Sequence, residues 1–365
     1  MGVRGKVLEV VPFIAMVTME GCTIGLTILA KTAITGGMSP LVFVVYTNAL
    51  GSILLLPYSI LFHRYSPQQS IFTFPLLMRI FFLGFTGIFM AQNLAFLGLS
   101  YSSPIVVCVM GLLLPAISFI LSLILRTKER DWRRTSFQVK VVGTIVSIMG
   151  ATVVEIYKGP YIRTASSSCL QQHNKPHLFV YLSTADHWVL GGILLAASSL
   201  CVSAWNIIQL GTVKQYPHVM KVVSFYSLAG TIQCVVFSLF VERDPSAWKV
   251  NLNMDLLLIV TTAIFVSVIR SSIHITCSTM KGPLYVPMFK PFGIAFATFF
   301  GVTFFTNSLH YGSVMGAVIT GMGYYTVMWG QLKEGEDKEE YSSSLKSSED
   351  SSDMKVPLLQ EDLPV

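Results

Sequence analysis

Long apolar stretches alternate with short polar connections along most of the chain. Each stretch is about 20 residues long, which is the length that an α-helix needs to cross the hydrocarbon core of a bilayer. The pattern therefore predicts an all-α membrane protein with ten transmembrane helices. Their expected bounds are 9–30, 40–62, 75–98, 103–125, 137–157, 187–210, 221–241, 254–277, 283–304 and 310–330.

Two polar regions divide this pattern. The loop at 158–186 is the longest connection, and it separates a first unit of five helices (1–157) from a second one (187–330). Beyond the tenth helix most residues are Glu, Asp, Lys and Ser, and such a segment cannot bury enough apolar surface to fold. We therefore expect residues 331–365 to form a disordered cytosolic tail.

The two units resemble each other in sequence. Pro115 of the fourth helix corresponds to Pro291 of the ninth at an offset of 176 residues. Because each unit has an odd number of spans, the second must lie upside down relative to the first. Many secondary transporters are built from such inverted repeats, with the substrate site at the repeat interface. A second match, at an offset of 173 residues, joins Val141, Gly143, Met149, Gly150 and Val154 to Val314, Gly316, Met322, Gly323 and Val327.

Composition excludes a soluble protein. Of 365 residues, 53% are hydrophobic and only 12% are charged, against roughly 25% charged in an ordinary soluble domain. The net charge of +6 does not indicate a nucleic-acid partner, because the basic residues lie at helix ends. Lys and Arg concentrate in the connections on the side of the N-terminus, most densely at 126–140, and this bias places both termini in the cytosol.

The chain lacks the motifs of common enzymes and cofactor sites. Five of the six cysteines lie in apolar segments and no two are spaced as CxxC, so we expect no metal, redox pair or disulfide framework. A P-loop and an HExxH motif are also absent from the sequence, which argues against an enzyme or an ATP-driven pump and predicts no cofactor. A membrane receptor or scaffold without solute flux is an alternative, although the short loops provide no extramembrane domain.

Prolines interrupt predicted helices in both units. Pro104 and Pro115 belong to the fourth helix, and Pro287 and Pro291 belong to the ninth. A proline inside a helix removes one hydrogen bond and clashes with a preceding carbonyl. Because the freed carbonyl needs another partner in lipid, these helix breaks indicate either packing kinks or segments that face a wet cavity.

Titratable side chains in three of the predicted spans are candidates for a substrate pathway. A charge at the centre of a transmembrane helix costs about 2.5–3.5 kcal/mol on insertion scales, so each side chain needs a partner or water. They either line a substrate pathway, pair with one another as Glu20 could with Lys290 or Arg270, or extend to the lipid headgroups. The candidates are Glu20, which begins a polar stripe with Thr23 and Thr27, Arg270 and His274 in the eighth helix, and Lys290 in the ninth.

Polar amides and small residues form a further set. An amide can bind the carboxylate or amine of a solute, but it can also join two helices at about 0.6–2 kcal/mol. Small residues recur every four positions in the fifth and tenth helices, which favours close packing within the chain or between two copies. The candidate pathway residues are Gln92 and Asn93 in the third helix and Trp205, Asn206 and Gln209 in the sixth, with Asn48 and Gln233 as further amides.

Six stretches carry a family resemblance: MSPLVFVVY at 38–46, QNLAFLGLSYSSP at 92–104, KVVGTIVSIMGATVVEIYKGP at 140–160, ERDPSAWK at 242–249, KGPLYVPMFKP at 281–291 and GAVITGMGYYTVMWG at 316–330. On these motifs the chain resembles, over 1–332, the plant Walls-Are-Thin-related proteins, also called UMAMIT transporters. That family belongs to the drug/metabolite (EamA-type) transporter superfamily. The resemblance implies two inverted EamA-like repeats, cytosolic termini, and facilitated movement of amino acids or, in some members, auxin.

The same resemblance implies pathway roles for the matching residues Gln92, Asn93, Trp205, Gln209 and Pro291. The chain departs from the common family pattern at Glu20, Thr47, Lys290 and Thr306–Asn307, so the identity of the substrate does not carry over.

These observations lead to one hypothesis and one main alternative. We expect a secondary transporter in which a cavity near the midplane binds an amino acid, with Arg270 or Lys290 at its carboxylate, Glu20 at its ammonium and Trp205 as an aromatic wall. The alternative substrate is an aromatic carboxylate such as auxin, which needs the cation and the wall but not Glu20. The expected partners are the solute and the bilayer, and the sequence does not decide between a monomer and a homo-oligomer. The plasma membrane is favoured over the vacuolar membrane.

Overall fold

The computed structural model describes eight stretches of the chain, which are helical apart from short turns. Most of the polar loop at 158–186 lies outside them, as do Thr306, Asn307 and residues 354–365. The described residues are 3–63, 74–125, 133–157, 186–216, 219–250, 254–282, 284–304 and 311–353.

Thirteen α-helices lie within the described residues, and no β-strand is found among them. The all-α prediction is therefore confirmed for this part of the chain. The helices are α1 (Val3–Thr35), α2 (Pro40–His63), α3 (Phe74–Leu83), α4 (Ala91–Tyr101), α5 (Pro104–Leu112), α6 (Leu114–Ile124), α7 (Thr135–Ile156), α8 (Asp186–Gln215), α9 (Val219–Val241), α10 (Met254–Ile264), α11 (Ser271–Lys281), α12 (Phe292–Phe304) and α13 (Tyr311–Asp353).

Eight helical stretches of the described chain are long and apolar enough to cross a membrane. They coincide with the first eight predicted segments. The ninth segment does not qualify, because a 3₁₀ turn at Pro287–Phe289 precedes α12, and α12 has only 13 residues. The tenth lies in the glycine-rich first part of α13. A multi-pass helical membrane protein is thus confirmed, whereas ten spans in two repeats stays a prediction.

The third and eighth spans are composite helices of the same length. A π-helical turn at Gly84–Met90 joins α3 to α4, and another at Phe265–Arg270 joins α10 to α11. Each composite span has 28 residues. A π turn is wider than an α turn and occurs frequently at functional sites, because it changes which side chains share a face.

The prolines mark the helix breaks. Pro104 is the first residue of α5, and Pro115 lies in the first turn of α6, after an interruption at Leu113. Pro287 begins the 3₁₀ turn, and Pro291 directly precedes α12. A proline is tolerated in the first turn of a helix because the N–H that it lacks has no partner there.

Helices α7 and α13 are in direct backbone contact. A β-carbon added to Gly143 would lie 3.0 Å from the carbonyl oxygen of Gly323, and one added to Gly150 would lie 2.9 Å from that of Gly316. Any side chain at these positions would push the helices apart. The small residues of the fifth and tenth segments therefore serve packing inside the chain.

The described part of the tail is helical. The sequence predicts disorder from residue 331, but α13 continues without interruption to Asp353. Two causes favour the helix. Lys333 and Asp337 carry opposite charges four residues apart, which supports an exposed helix. In addition, Glu334 forms an ion pair with the buried Lys140 of α7, which holds this turn against the bundle.

Candidate functional site

A cavity of about 270 Å³ lies between α1, α2, α4 and the composite eighth span. Its wall is mixed. The apolar part consists of Leu26, Ala30, Phe43, Phe96, Ala263, Phe265 and Val266. The polar part consists of Thr23, Thr27, Thr47, Asn48, Gln92, Thr262, Ser267 and Arg270.

Three of the cavity threonines are bonded to their own helices. The hydroxyl of Thr23 donates to the carbonyl oxygen of Met19 at 2.8 Å, and that of Thr27 donates to the carbonyl oxygen of Thr23 at 2.9 Å. Thr47 bonds in the same way to Phe43 at 2.8 Å. Each hydroxyl keeps its lone pairs, so these threonines can still accept a hydrogen bond from a solute.

Two amides cross the cavity wall between α2 and α4. The side-chain nitrogen of Asn48 donates to the side-chain oxygen of Gln92 at 2.6 Å and to the carbonyl oxygen of Val44 at 2.8 Å. The pair therefore orients both amides. The oxygen of Asn48 and the nitrogen of Gln92 are the atoms that this bonding leaves for a solute.

Arg270 is the charged residue among the described residues that line the cavity. It is the last residue of the π turn at Phe265–Arg270, which begins two residues after the cavity residue Ala263. The guanidinium lies within electrostatic range of Glu20, and His274 lies one turn further along the span, within range of Arg270 and Lys290. The structure thus brings all four predicted titratable residues into one cluster.

Glu20 and Lys290 form an ion pair beside the cavity rather than in its wall. The Lys290 Nζ lies 3.2 Å from the Glu20 Oε1, and the Glu20 side chain is 4% exposed against 30% for Lys290. The pair joins the middle of α1 to the residues just before α12. Of the alternatives that the sequence left open, this geometry corresponds to the structural pair with Lys290, and it leaves Arg270 as the cation that faces the cavity.

The remaining predicted pathway residues lie elsewhere. Trp205 packs against Gly87 and lies 6.1 Å from the Tyr226 ring, inside an apolar cluster. Asn93 donates to the carbonyl oxygen of Phe89 at 2.7 Å. Asn206 lines a second pocket of about 360 Å³, next to the ion pair of Lys140 and Glu334, and the half-buried Gln209 lines neither pocket among the described residues.

Two cavity residues that had a detectable signal were not among the candidate pathway residues. Thr47 lies one residue before Asn48, which was already a candidate amide. Thr262 lies eight residues before Arg270, which is about two helical turns on the same face of the span. Phe43 and Phe96 gave no signal, because aromatic residues in apolar runs look the same in a core and in a cavity wall.

The end of the cavity nearer the α1–α2 connection is covered by the segment after α9. The Tyr46 hydroxyl donates to the carbonyl oxygen of Trp248 at 2.9 Å, and the Ser39 hydroxyl donates to the Glu242 carboxylate at 2.8 Å. Val250 packs on a cluster that includes Phe43. Within this segment the hydrogen bonds from Ser246 to Asp244 lower the pKa of that exposed carboxyl group.

Comparison with known proteins supplies the family context. Residues 14–155 match the EamA-like transporter family. A WAT1-related protein of Arabidopsis thaliana is 62% identical over 98% of both chains, and a second one is 55% identical over 96% of this chain and 95% of the relative. A third WAT1-related protein from the same plant is 38% identical over 89% of this chain and 87% of the relative.

A solved structure has a similar fold. A crystal structure whose description gives no function aligns with a TM-score of 0.50 and 14% sequence identity, over 88% of this chain and 97% of the other. At this identity the likeness bears on the fold and not on the substrate.

Proposed function

Because the chain belongs to the WAT1-related proteins of the EamA-like transporter family, we propose that it moves amino acids across a membrane as a secondary transporter with alternating access. The family is a transporter family, and its members imply a small-molecule solute and a lipid bilayer. The choice of amino acids as the solute is the proposed step.

One observation supports the solute class: an arginine in a partly apolar membrane cavity. A guanidinium binds a carboxylate through two parallel hydrogen bonds, and a hydrogen bond to a charged group contributes about 1.5–3 kcal/mol. Arg270 lines the cavity while Glu20 is engaged by Lys290, so the charged position facing the solute is positive. The ammonium group of an amino acid would then bind neutral oxygens such as that of Asn48.

An aromatic carboxylate such as auxin is the second candidate. Phe43, Phe96 and Phe265 contribute rings to the cavity wall. A monoanion needs no carboxylate partner, and Glu20 is held by Lys290. Trp205, the predicted aromatic wall, has no part in this version, because it lies in the cluster around Tyr226.

Inverted repeats at 1–157 and 187–330 provide the moving parts of the proposed mechanism. The sequence offset of 173 relates Gly143 to Gly316 and Gly150 to Gly323. Gly143 packs on Gly323, and Gly150 packs on Gly316. If each glycine is replaced by its counterpart in the other unit, the first contact becomes the second. Reciprocal contacts of this kind are the mark of a two-fold axis. The matched π turns of the third and eighth spans support the same relation.

Orientation and location complete the proposal. The Lys and Arg distribution supports cytosolic termini, and we place the protein in the plasma membrane in preference to the vacuolar membrane. The second pocket beside Lys140 then faces the cytosol, and Asn206 belongs to that vestibule.

The experiment is counterflow into proteoliposomes that contain the full chain, with a panel of labelled amino acids and labelled auxin. We expect wild-type protein to exchange amino acids, and R270Q to lower uptake at subsaturating solute at least about tenfold. R270K keeps the charge but loses the paired hydrogen bonds, so it should fall between the two. R243Q, which changes an exposed arginine after α9, is the matched control and should transport normally.

The outcomes separate the candidates. If deaminated analogues compete as strongly as the amino acids themselves, the result would favour the aromatic carboxylate. Wild-type protein that exchanges no solute of the panel would contradict transport and support a receptor or scaffold. Equal flux through R270Q and R243Q would remove Arg270 from the site.

A further inference from the structure

Thr262 differs from the other threonines of the cavity. Thr23, Thr27 and Thr47 each donate their hydroxyl to a carbonyl oxygen of the same helix. The hydroxyl of Thr262 is buried and has no hydrogen-bond partner among the described residues. A buried hydroxyl without a partner is unfavourable, so a partner is expected to arrive with the solute.

The position of Thr262 identifies the part of the solute that it can reach. It lies eight residues before Arg270 on the same span, which corresponds to about two helical turns along the axis. In an amino acid the carboxylate and the ammonium group are attached to the same carbon. With the carboxylate on Arg270, both groups therefore lie at the Arg270 end of the cavity, and the side chain of the solute points toward Thr262.

The helical turn before Thr262 packs among apolar residues. Leu258, one turn away, is buried in a cluster with Ala30 and Phe43, and the Phe43 and Phe96 rings lie 5.0 Å apart. Water is excluded from such a pocket more readily than from the Arg270 end. A hydrogen bond between Thr262 and the solute would therefore discriminate strongly between side chains with and without a polar end.

We propose that Thr262 is a specificity-determining residue, whose hydroxyl hydrogen-bonds the polar end of the transported amino acid's side chain. The preferred solutes then carry an amide or hydroxyl at the end of the side chain, and aliphatic side chains of similar length are disfavoured. This inference rests on the proposed amino-acid transport and adds the recognition of the side chain.

The test is a substitution that removes the hydroxyl and keeps the shape. T262V replaces the hydroxyl by a methyl group, T262S keeps the hydroxyl, and T152V is the matched control at an exposed threonine of α7 that lies outside the cavity and is bonded to its own helix. Counterflow of labelled glutamine and labelled leucine is measured for each variant in proteoliposomes. We expect T262V to lower the glutamine-to-leucine ratio of uptake efficiencies about tenfold, while T262S and T152V keep the wild-type ratio.

The outcomes are distinct from those for the proposed function. An unchanged ratio in T262V, with wild-type flux, overturns the role of Thr262 and leaves amino-acid transport intact. An equal loss of ratio in T152V also overturns it, because the effect would then not depend on the cavity. If T262V does not fold, a T262S variant with a ratio shifted toward leucine overturns the proposal, and a retained ratio supports it.

Discussion

At the scale of single residues, the sequence predicts which charged side chains need a partner better than it predicts which residue that partner is. The cost of a charge in a bilayer predicts that Glu20 needs a partner or water, but Arg270 and Lys290 are equally eligible partners in the sequence. Only the arrangement of α1 beside α12 selects Lys290. The location of Trp205 could not be predicted, because an aromatic residue in an apolar run gives no indication of whether it faces a core or a cavity.

The ion pair of Glu20 and Lys290 predicts an asymmetry in stability. Removing one partner of a buried pair leaves an uncompensated charge. K290M leaves the Glu20 carboxylate, which is 4% exposed, whereas E20Q leaves Lys290, which is 30% exposed. We expect K290M to lower the free energy of unfolding by about 3 kcal/mol and E20Q by about 1 kcal/mol.

Unfolding of the purified variants in detergent measures both effects. The double variant E20Q/K290M is the control, and its loss should be smaller than the sum of the single losses, because neither charge remains. Additive losses would show that the two side chains do not interact in the folded protein.

At the scale of elements, the hydrophobic pattern located eight spans correctly and the prolines located the breaks. The π turn of the eighth span could not be predicted, because FVSVIR at 265–270 has neither a proline nor a glycine. The helical part of the tail could not be predicted from composition for a related reason. Composition describes an isolated segment, whereas residues 331–353 continue a helix that the ion pair of Lys140 and Glu334 holds.

The contact of α7 with α13 makes the next prediction. G150A places a methyl group 2.9 Å from the carbonyl oxygen of Gly316, so the helices must separate, and we expect a loss of about 1–3 kcal/mol in the free energy of unfolding. G25A is the matched control, because no atom lies within 4 Å of a β-carbon added to Gly25 in α1.

In G25A the substitution should be neutral or stabilising by up to about 1 kcal/mol, since alanine favours the helix. Thermal unfolding of both variants decides the question. Equal stability of G150A and G25A would contradict a backbone contact between α7 and α13.

At the scale of the whole molecule, the open question is whether the ninth segment crosses the bilayer. Helix α12 is about 20 Å long and too short to cross alone. Its contacts with α1 nevertheless run in parallel. Lys290 pairs with Glu20, Gly293 lies against Ile24, and Ala297 packs in one cluster with Ile24 and Ile28.

These contacts fix the direction of α12. The chain of α12 runs in the same direction as that of α1, from the level of Glu20 toward the end of α1 at Thr35. The residues before it, including the 3₁₀ turn at Pro287–Phe289, pack at the level of Phe13, whose ring lies 5.4 Å from that of Phe289. The non-helical segment therefore covers one half of the bilayer and α12 the other, so the ninth segment is expected to be a complete span.

The prediction is that Lys249 and Glu336 lie on opposite faces of the membrane. Three crossings separate them if the ninth segment spans, and two separate them if it turns back. K249C and E336C, at exposed positions, are treated with a membrane-impermeant maleimide on intact cells and after permeabilisation, with the unsubstituted chain as control. We expect K249C to react on intact cells and E336C only after permeabilisation. Reaction of both on the same face would make the ninth segment re-entrant, and the inverted relation of the two units would then fail, because their numbers of spans would differ.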